Sequence, residues 1–480
     1  MPEPSWFRLY ARLPVWAQNA GCCLAGLRMR RDRYSRTFRA ALDFLKAAES
    51  WSLEDLRAYQ DEQLRRTVRH AYDNVPYYRE VFDERKLSPD DVRTVEDLPK
   101  LPLLEKATLR RRYDDLQARG WPRRRIVRGR TGGTTGTALR LTSDRDTQPW
   151  QWAVVWRHRA RFGLVPGDSF VVFAGRSVVP LSQTGPPIWR RNLPMHQTYV
   201  SVHHMTDRNL AHLVGYLRKR PVAYYTGYPS ALYRFATFLL DNDLSLEDPP
   251  RITVSASETL LPRQRRVIEE ALKTEVTDHY GVSEQCVCIS ECERHRYHLD
   301  MEFGVTELLA LEGGPPKLRR IVCTGFRNPV MPLIRYDIGD LATESDRPCP
   351  CGRAAPAVES IDGRIESYIV TPDGRVLGRL GFLFWETHTI REAQLVQDDR
   401  DHLTVRVVRA DGYTESDERR FLADLRRYVG PEMRIDMEHL PEIPREPNGK
   451  FRQIVSHVFE DRHARLAPAA GPAAPAGERP

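Results

Sequence analysis

The chain runs to 480 residues, 41% hydrophobic and 29% charged, with a formal net charge of +8. This ordinary globular composition supplies enough apolar material for two or three domains and a large buried core. The positive charge comes from arginine, with about eight lysines among the 73 basic residues, and no basic stripe interleaved with aromatics marks a nucleic-acid surface; a basic enzyme that handles small anions fits better.

In chain order, the first notable segment is "LPVWAQNAGCCLAGL", from Leu13 to Leu27. It is too short and too polar to span a bilayer, and arginines follow it with no clean cleavage signal. It reads as a buried or surface-lying segment of a cytoplasmic protein without stable membrane insertion. Leu53, Leu56, Leu64 and Val68 recur at helical spacing among charges, which predicts an amphipathic helix from Ser52 to about Val75. From Asp144 onward the pattern alternates. Arg145 to Arg161, Thr206 to Lys219, Pro229 to Leu240 and Pro262 to Lys273 read as helices, and "DSFVVFAG", "VAYYTG", "RITVSAS" and "EVTDHYG" as the strands between them. That alternation predicts an α/β fold with a largely parallel sheet, whose ligands bind beyond the carboxyl ends of its strands. Tyr224, Tyr225, Tyr228 and Tyr233 suggest an aromatic pocket lining, although such a stripe is more often plain core.

After "IDGRIES" the texture changes to a compact module: "HLTVRVVRA" as a strand, Glu415 to Tyr428 as a helix, and "MRIDMEHL" as a strand. The expected organisation is a large multi-layer α/β domain over 1–363, a small mobile α+β domain over 364–460, and a Pro/Ala/Gly-rich disordered tail over 461–480.

Two local patterns carry chemistry. The loop Thr131, Gly132, Gly133, Thr134, Thr135, Gly136 offers hydroxyls and closely approachable backbone N–H groups, the material of a phosphate cradle, though neither common phosphate fingerprint can be laid on it. The cysteines are clustered: Cys22 and Cys23; Cys286, Cys288 and Cys292; Cys323; Cys349 and Cys351. Close pairs in a chain without a signal peptide point to metal or reduced thiols, not to a disulfide framework.

The Gly/Thr loop is followed, in order, by "YGVSE" (280–284), "RYDIGD" (335–340), "DGRIES" (362–367) and "PNGK" (447–450). This series resembles the adenylate-forming superfamily of acyl-CoA synthetases and adenylation domains. Within it, "NVPYYREVF", "EDLPKLPLLEKATLR" and "IPREPNGKFR" resemble the phenylacetate-CoA ligase-like branch, including its CapK-like relatives of capsule biosynthesis. The resemblance covers about residues 35 to 460.

It implies a two-step reaction: a carboxylate attacks the α-phosphate of ATP to give acyl-adenylate and pyrophosphate, and a thiol, CoA, then takes the acyl group. Residues 131–136 would hold the β- and γ-phosphates, Glu284 the Mg²⁺ between them, and Tyr280, after which Gly281 makes the turn, would stack near the adenine with Ser257 and Glu258 of "SASE" on the other side. Asp340 would accept both ribose hydroxyls, which a carboxylate can do with its two oxygens. Lys450 would bridge the substrate carboxylate and the α-phosphate, where a compact ammonium fits and a planar guanidinium does not. Arg364 would contact nucleotide, and Glu366 would be the hinge of the small domain. The chain departs from the family's usual pattern in three places: Gly132 stands where serine is common and Thr137-Ala138 where Lys-Pro often stands; the hinge motif reads Glu366-Ser367; and Asp337 stands where arginine or threonine is common, for no reason the sequence supplies. Rival readings are an adenylating enzyme with another acceptor, namely an amine, a carrier-protein thiol or a hydroxyl, and a non-catalytic scaffold of the same fold. Retention of Lys450, Glu284 and Asp340 speaks against the second.

Members of this branch often carry a cysteine and a histidine just after "YGxSE" and a later C-x-C-G. On that resemblance, Cys292 and His298 pair with Cys349 and Cys351 as the expected ligands of a structural Zn²⁺. Cys286, Cys288 and His295 are left as spares or alternates.

Overall fold

A computed structural model describes residues 9–131, 139–176, 178–311, 314–364, 368–372, 376–377, 389–410, 412–445 and 451–458. The phosphate-loop residues Gly132, Gly133, Thr134, Thr135 and Gly136, the hinge Glu366, the catalytic candidate Lys450 and the tail 461–480 lie outside the described residues.

The helices begin with α1 (Val15–Arg33), α2 (Arg36–Ala48), α3 (Leu53–Asn74), α4 (Pro76–Glu84) and α5 (Lys106–Arg111). Ser52 starts α3 through a capping box with Asp55, and the chain turns into α4 at Pro76, whose fixed φ suits the first helical position. There follow α6 (Thr147–Ala160), α7 (Asp207–Arg218), α8 (Pro229–Asp241), α9 (Pro262–Leu272) and α10 (Glu415–Val429). The helices expected from the hydrophobic spacing fall within a few residues of α3, α6, α7, α8, α9 and α10.

The strands β1 (Ile126–Arg130) and β2 (Arg140–Asp144) form an antiparallel hairpin. Next come β3 (Phe170–Ala174), β4 (Trp189–Asn192), β5 (Gln197–Ser201), β6 (Tyr224–Gly227), β7 (Ile252–Ala256), β8 (Val276–Gly281), β9 (Cys288–Glu291), β10 (Tyr297–Leu299), β11 (Gly304–Ala310), β12 (Leu318–Gly325), β13 (Tyr336–Glu344) and β14 (Ala357–Arg364). They make one twelve-stranded sheet in the order β11-β12-β13-β14-β10-β9-β8-β7-β6-β3-β5-β4. The run β5, β3, β6, β7, β8 is parallel, and its strands are buried along most of their length, polar residues included. The expectation of a largely parallel sheet needs correcting on either side of this run. β4 pairs antiparallel with β5, and from β9 onward the connections carry no helix, so neighbouring strands return as antiparallel hairpins.

Tyr224 and Tyr225 are buried in the core: Tyr224 stacks on Phe170 at 4.8 Å and Tyr225 packs with Phe173 and Phe235. Tyr228 and Tyr233 are partly buried against the same core.

Contacts divide the chain into a larger unit, Met1–Leu311, Pro316–Gly363 and Arg445–Phe451, and a smaller one, Glu312–Pro315, Arg364–Pro444 and Arg452–Pro480. The smaller unit holds β15 (Ile369–Val370), β16 (Val376–Leu377), β17 (Ile390–Asp399), β18 (His402–Arg409), β19 (Arg434–His439) and β20 (Ile454–Ser456). Its four-stranded sheet, in the order β19-β18-β17-β20, packs Leu395, Leu403 and Val405 with Phe421 and Leu425 of α10. Among the described residues, no helix is long and apolar enough to cross a membrane.

Candidate active site and metal centre

Among the expected site residues, Tyr280, Glu284 and Asp340 lie on or beside β8 and β13. Tyr280 and Gly281 close β8, and the turn that follows places Glu284, which is buried and accepts a hydrogen bond from the Tyr336 hydroxyl at 3.1 Å. Tyr336 is fully buried at the start of β13, and burial, with the Glu284 carboxylate beside it, pushes its hydroxyl well above the ordinary tyrosine range. It therefore stays a donor and fixes one oxygen of Glu284. Four residues further along β13, Asp340 is buried and accepts from the Tyr280 hydroxyl at 2.7 Å. The expected adenine-stacking residue and the expected ribose ligand are thus one hydrogen bond apart, although 60 residues separate them. Sequence reading missed Tyr336; its position inside "RYDIGD" was the available signal.

Ser257 follows β7 with φ at 75°, a left-handed conformation uncommon for a residue with a Cβ. Glu258 beside it accepts from Ser230 N at 3.1 Å and from Phe451 N at 3.0 Å. Gly281 is not sterically required, since an added Cβ would meet only ordinary contacts. Thr131, just after β1, makes two bonds across the hairpin mouth: its N–H donates to Leu139 O, and its hydroxyl accepts from Leu139 N, each at 3.0 Å. This clasp fixes both ends of the Gly/Thr loop. Arg364 closes β14. Asp337 now has a physical account: it pairs with Arg320 of β12 and accepts from Gly339 N at 3.0 Å, which holds the positive-φ Gly339 just before Asp340.

Cys292, His298, Cys349 and Cys351 come together with their ligand atoms all within 4.8 Å of one another. Cys292 Sγ lies 3.5 Å from Cys349 Sγ, and His298 Nε2 lies 3.3 Å from Cys351 Sγ. A tetrahedral zinc with ordinary bond lengths has edges of about 3.7 Å between sulfurs and about 3.5 Å between sulfur and nitrogen, so both gaps are near what one ion would span. Sheet register makes the cluster. Cys292 sits in the turn between β9 and β10, His298 is on β10, and His298 stands opposite Ala357 of β14, six residues after Cys351. Gly352, at φ 82°, lets the Cys349–Cys351 loop turn back. His298 bonds through Nδ1 to Ala355 O at 2.8 Å, and burial pushes its pKa down, so Nε2 is left as a neutral ligand atom. The spares go elsewhere: Cys286 faces Cys323 at 2.7 Å, Cys288 is buried on β9, and His295 pairs with Glu291. All eight cysteines are free thiols.

A family model described as the CapK C-terminal domain matches residues 369–457. Protein CapK of Staphylococcus aureus is 24% identical over 455 residues, covering 94% of this chain and 99% of CapK. A phenylacetate-coenzyme A ligase of Thermus thermophilus is 25% identical over 458 residues, covering 85% of this chain and 98% of that protein. In fold, 2-hydroxyisobutyryl-CoA ligase, solved in the postadenylation state with an adenylate bound, matches with a TM-score of 0.66 over 87% of this chain and 93% of its own, at 19% identity. The chain is a homologue of CapK and of the phenylacetate-CoA ligases, built on the fold of the adenylate-forming ligases.

Proposed function

We propose that the chain activates a carboxylic acid, aryl or similar, with ATP to form an acyl-adenylate and pyrophosphate, and then transfers the acyl group to CoA as a thioester. The observation that carries this reading is the constellation Tyr280, Glu284, Tyr336 and Asp340 at the carboxyl end of the parallel strands, where an α/β sheet binds its ligand. The homology to acid-CoA ligases supports it.

In this reading Asp340 receives the ribose hydroxyls, and Tyr280, oriented by its bond to Asp340, presents its ring to the adenine with Ser257 and Glu258 opposite. Glu284 fits a Mg²⁺: its carboxylate is buried, Tyr336 fixes its geometry, and a hard oxygen donor is what that ion takes. Bound there, Mg²⁺ would offset the charge of the phosphates. Thr131, Gly132, Gly133, Thr134, Thr135 and Gly136 cradle the phosphates, Lys450 bridges carboxylate and α-phosphate, Arg364 contacts nucleotide, and Glu366 is the pivot of a small mobile domain over 364–460 that serves the two steps in turn. The Cys292, His298, Cys349 and Cys351 set fits a structural Zn²⁺, because three thiols and a neutral imidazole complete four-coordination and leave no open position for substrate. Such an ion would tie the segment after Glu284 to the loop after Asp340. Free thiols throughout agree with a reducing, cytoplasmic setting.

The test is Lys450→Ala. Acid-dependent pyrophosphate release should fall by roughly a hundredfold or more, since a charge aimed at the reacting oxygens is removed, while ATP binding and thermal unfolding stay near those of the parent. Unchanged adenylation in that variant refutes the role given to Lys450.

A further inference from the structure

Helix α1 is docked through the face that carries Gln18, with Cys22 packed against Val178, Val179 and Tyr199. Gln18, Cys22 and Gly26, at helical spacing, are buried, while Trp16, Ala20, Leu24 and Leu27, on the opposite face, are exposed. The inward face is held by hydrogen bonds to the edge strand β4 and its neighbours. Gln18 accepts from Arg190 Nε at 2.6 Å, Asn19 accepts from Arg191 N at 2.8 Å, and the Cys23 thiol donates to Arg191 O at 3.7 Å. At Gly26 any Cβ would lie 1.8 Å from Asn192 Oδ1, so the helix backbone packs directly on the Asn192 side chain of β4. The helix thus covers the open edge of the twelve-stranded sheet with polar groups.

Its outward face is apolar where a surface helix is normally polar. Trp16 is 74% exposed, Leu24 69% and Leu27 56%, and Leu9 and Leu13 are exposed in the lead-in. Exposed arginines border the stripe: Arg12, Arg28, Arg30 and Arg31. The one acidic residue of α1, Asp32, is already engaged by Arg28, Arg31 and Arg145.

We propose that α1 is a membrane-docking helix, whose Trp16–Leu24–Leu27 stripe lies in the interface of an anionic bilayer while the bordering arginines meet lipid headgroups. Leucine side chains enter the acyl boundary, a tryptophan suits the headgroup level, and cations beside them draw the helix to anionic lipid. A second copy of the chain suits this face less well, because stacking two such helices brings arginines together with no carboxylate left to receive them. The stripe is too short to span, in keeping with a helix that lies on the surface.

The test uses the full chain with vesicles of phosphatidylcholine alone and with about a third phosphatidylglycerol, read by co-sedimentation. The parent should pellet with the anionic vesicles only, and salt should weaken the binding. Leu24→Ser with Leu27→Ser, both at exposed sites, should lower the bound fraction at least tenfold and leave thermal unfolding and adenylation in solution unchanged. Arg28→Gln with Arg31→Gln should weaken binding independently. A parent chain that stays in the supernatant with both vesicle types overturns the proposal. So does a leucine variant that is folded and binds as the parent does. A concentration-dependent dimer that disappears in the leucine variant, with no vesicle binding, overturns it in favour of self-association.

Discussion

Asp278 shows how a single buried group couples the site to stability. It lies on β8 two residues before Tyr280, fully buried, accepting from Ser255 Oγ at 2.5 Å and from the Tyr297 hydroxyl at 3.1 Å. Burial, with Glu291 close by, pushes its carboxyl up to about 7. In the unfolded chain it titrates near 4. A folded pKa above the unfolded one means that its contribution is fully present below about pH 4 and is lost as pH rises towards 7. Asp278→Asn, which keeps the neutral form at every pH, should therefore gain stability over the parent by roughly 3 kcal/mol more at pH 8 than at pH 5. Urea unfolding at the two pH values measures this, and parallel profiles would show that Asp278 does not titrate in that window. Asp278 could not be picked out from the sequence, because nothing in "EVTDHYG" shows that Glu291 folds back beside it. Glu284 and Asp340 could be, because a motif fixes each locally. What the motifs left out was Tyr336 and the bond each tyrosine makes to a carboxylate, since the Tyr336–Glu284 and Tyr280–Asp340 bonds depend on pairing between distant segments.

At the level of elements, the chain was most legible where strands alternate with amphipathic helices, from α6 to β8. There, periodicity constrains each element, and all but β4 and β5 fall where the pattern puts them; those two strands lie in the stretch between β3 and α7, to which the pattern assigned no element. It was least legible from β9 to β14, where antiparallel strands rich in charged residues carry neither a helical nor a clean two-residue period. Yet this is the region that assembles Cys292, His298, Cys349 and Cys351, and only the β10–β14 register explains why two cysteine-containing segments some fifty residues apart meet. If an ion holds these hairpins, protein purified without added metal should carry about one zinc per chain. Cys349→Ser should lose the metal and lower the unfolding temperature by about 5 °C or more. Metal-free protein with the parent's stability would show that the cluster is simply four packed side chains, two buried and two partly exposed. Helix α1 was legible as a surface segment, but not its orientation, because its tryptophan and leucines face outward, the reverse of the usual amphipathic arrangement, and only the hydrogen bonds to β4 show which side faces in.

For the whole molecule, two units follow from two separate cores: the apolar strands of the twelve-stranded sheet with their covering helices, and the Leu395–Phe421–Leu425 cluster of the smaller unit. The most direct measurement is ATP–pyrophosphate exchange by the purified chain against a panel of aryl, aliphatic and amino acids with Mg²⁺, with free CoA then added to follow thioester release. The account predicts exchange that depends strictly on one class of acid, is lost in Asp340→Ala, and is followed by acyl-CoA formation. Absence of acid-dependent exchange across the panel by folded, ATP-binding protein would contradict it.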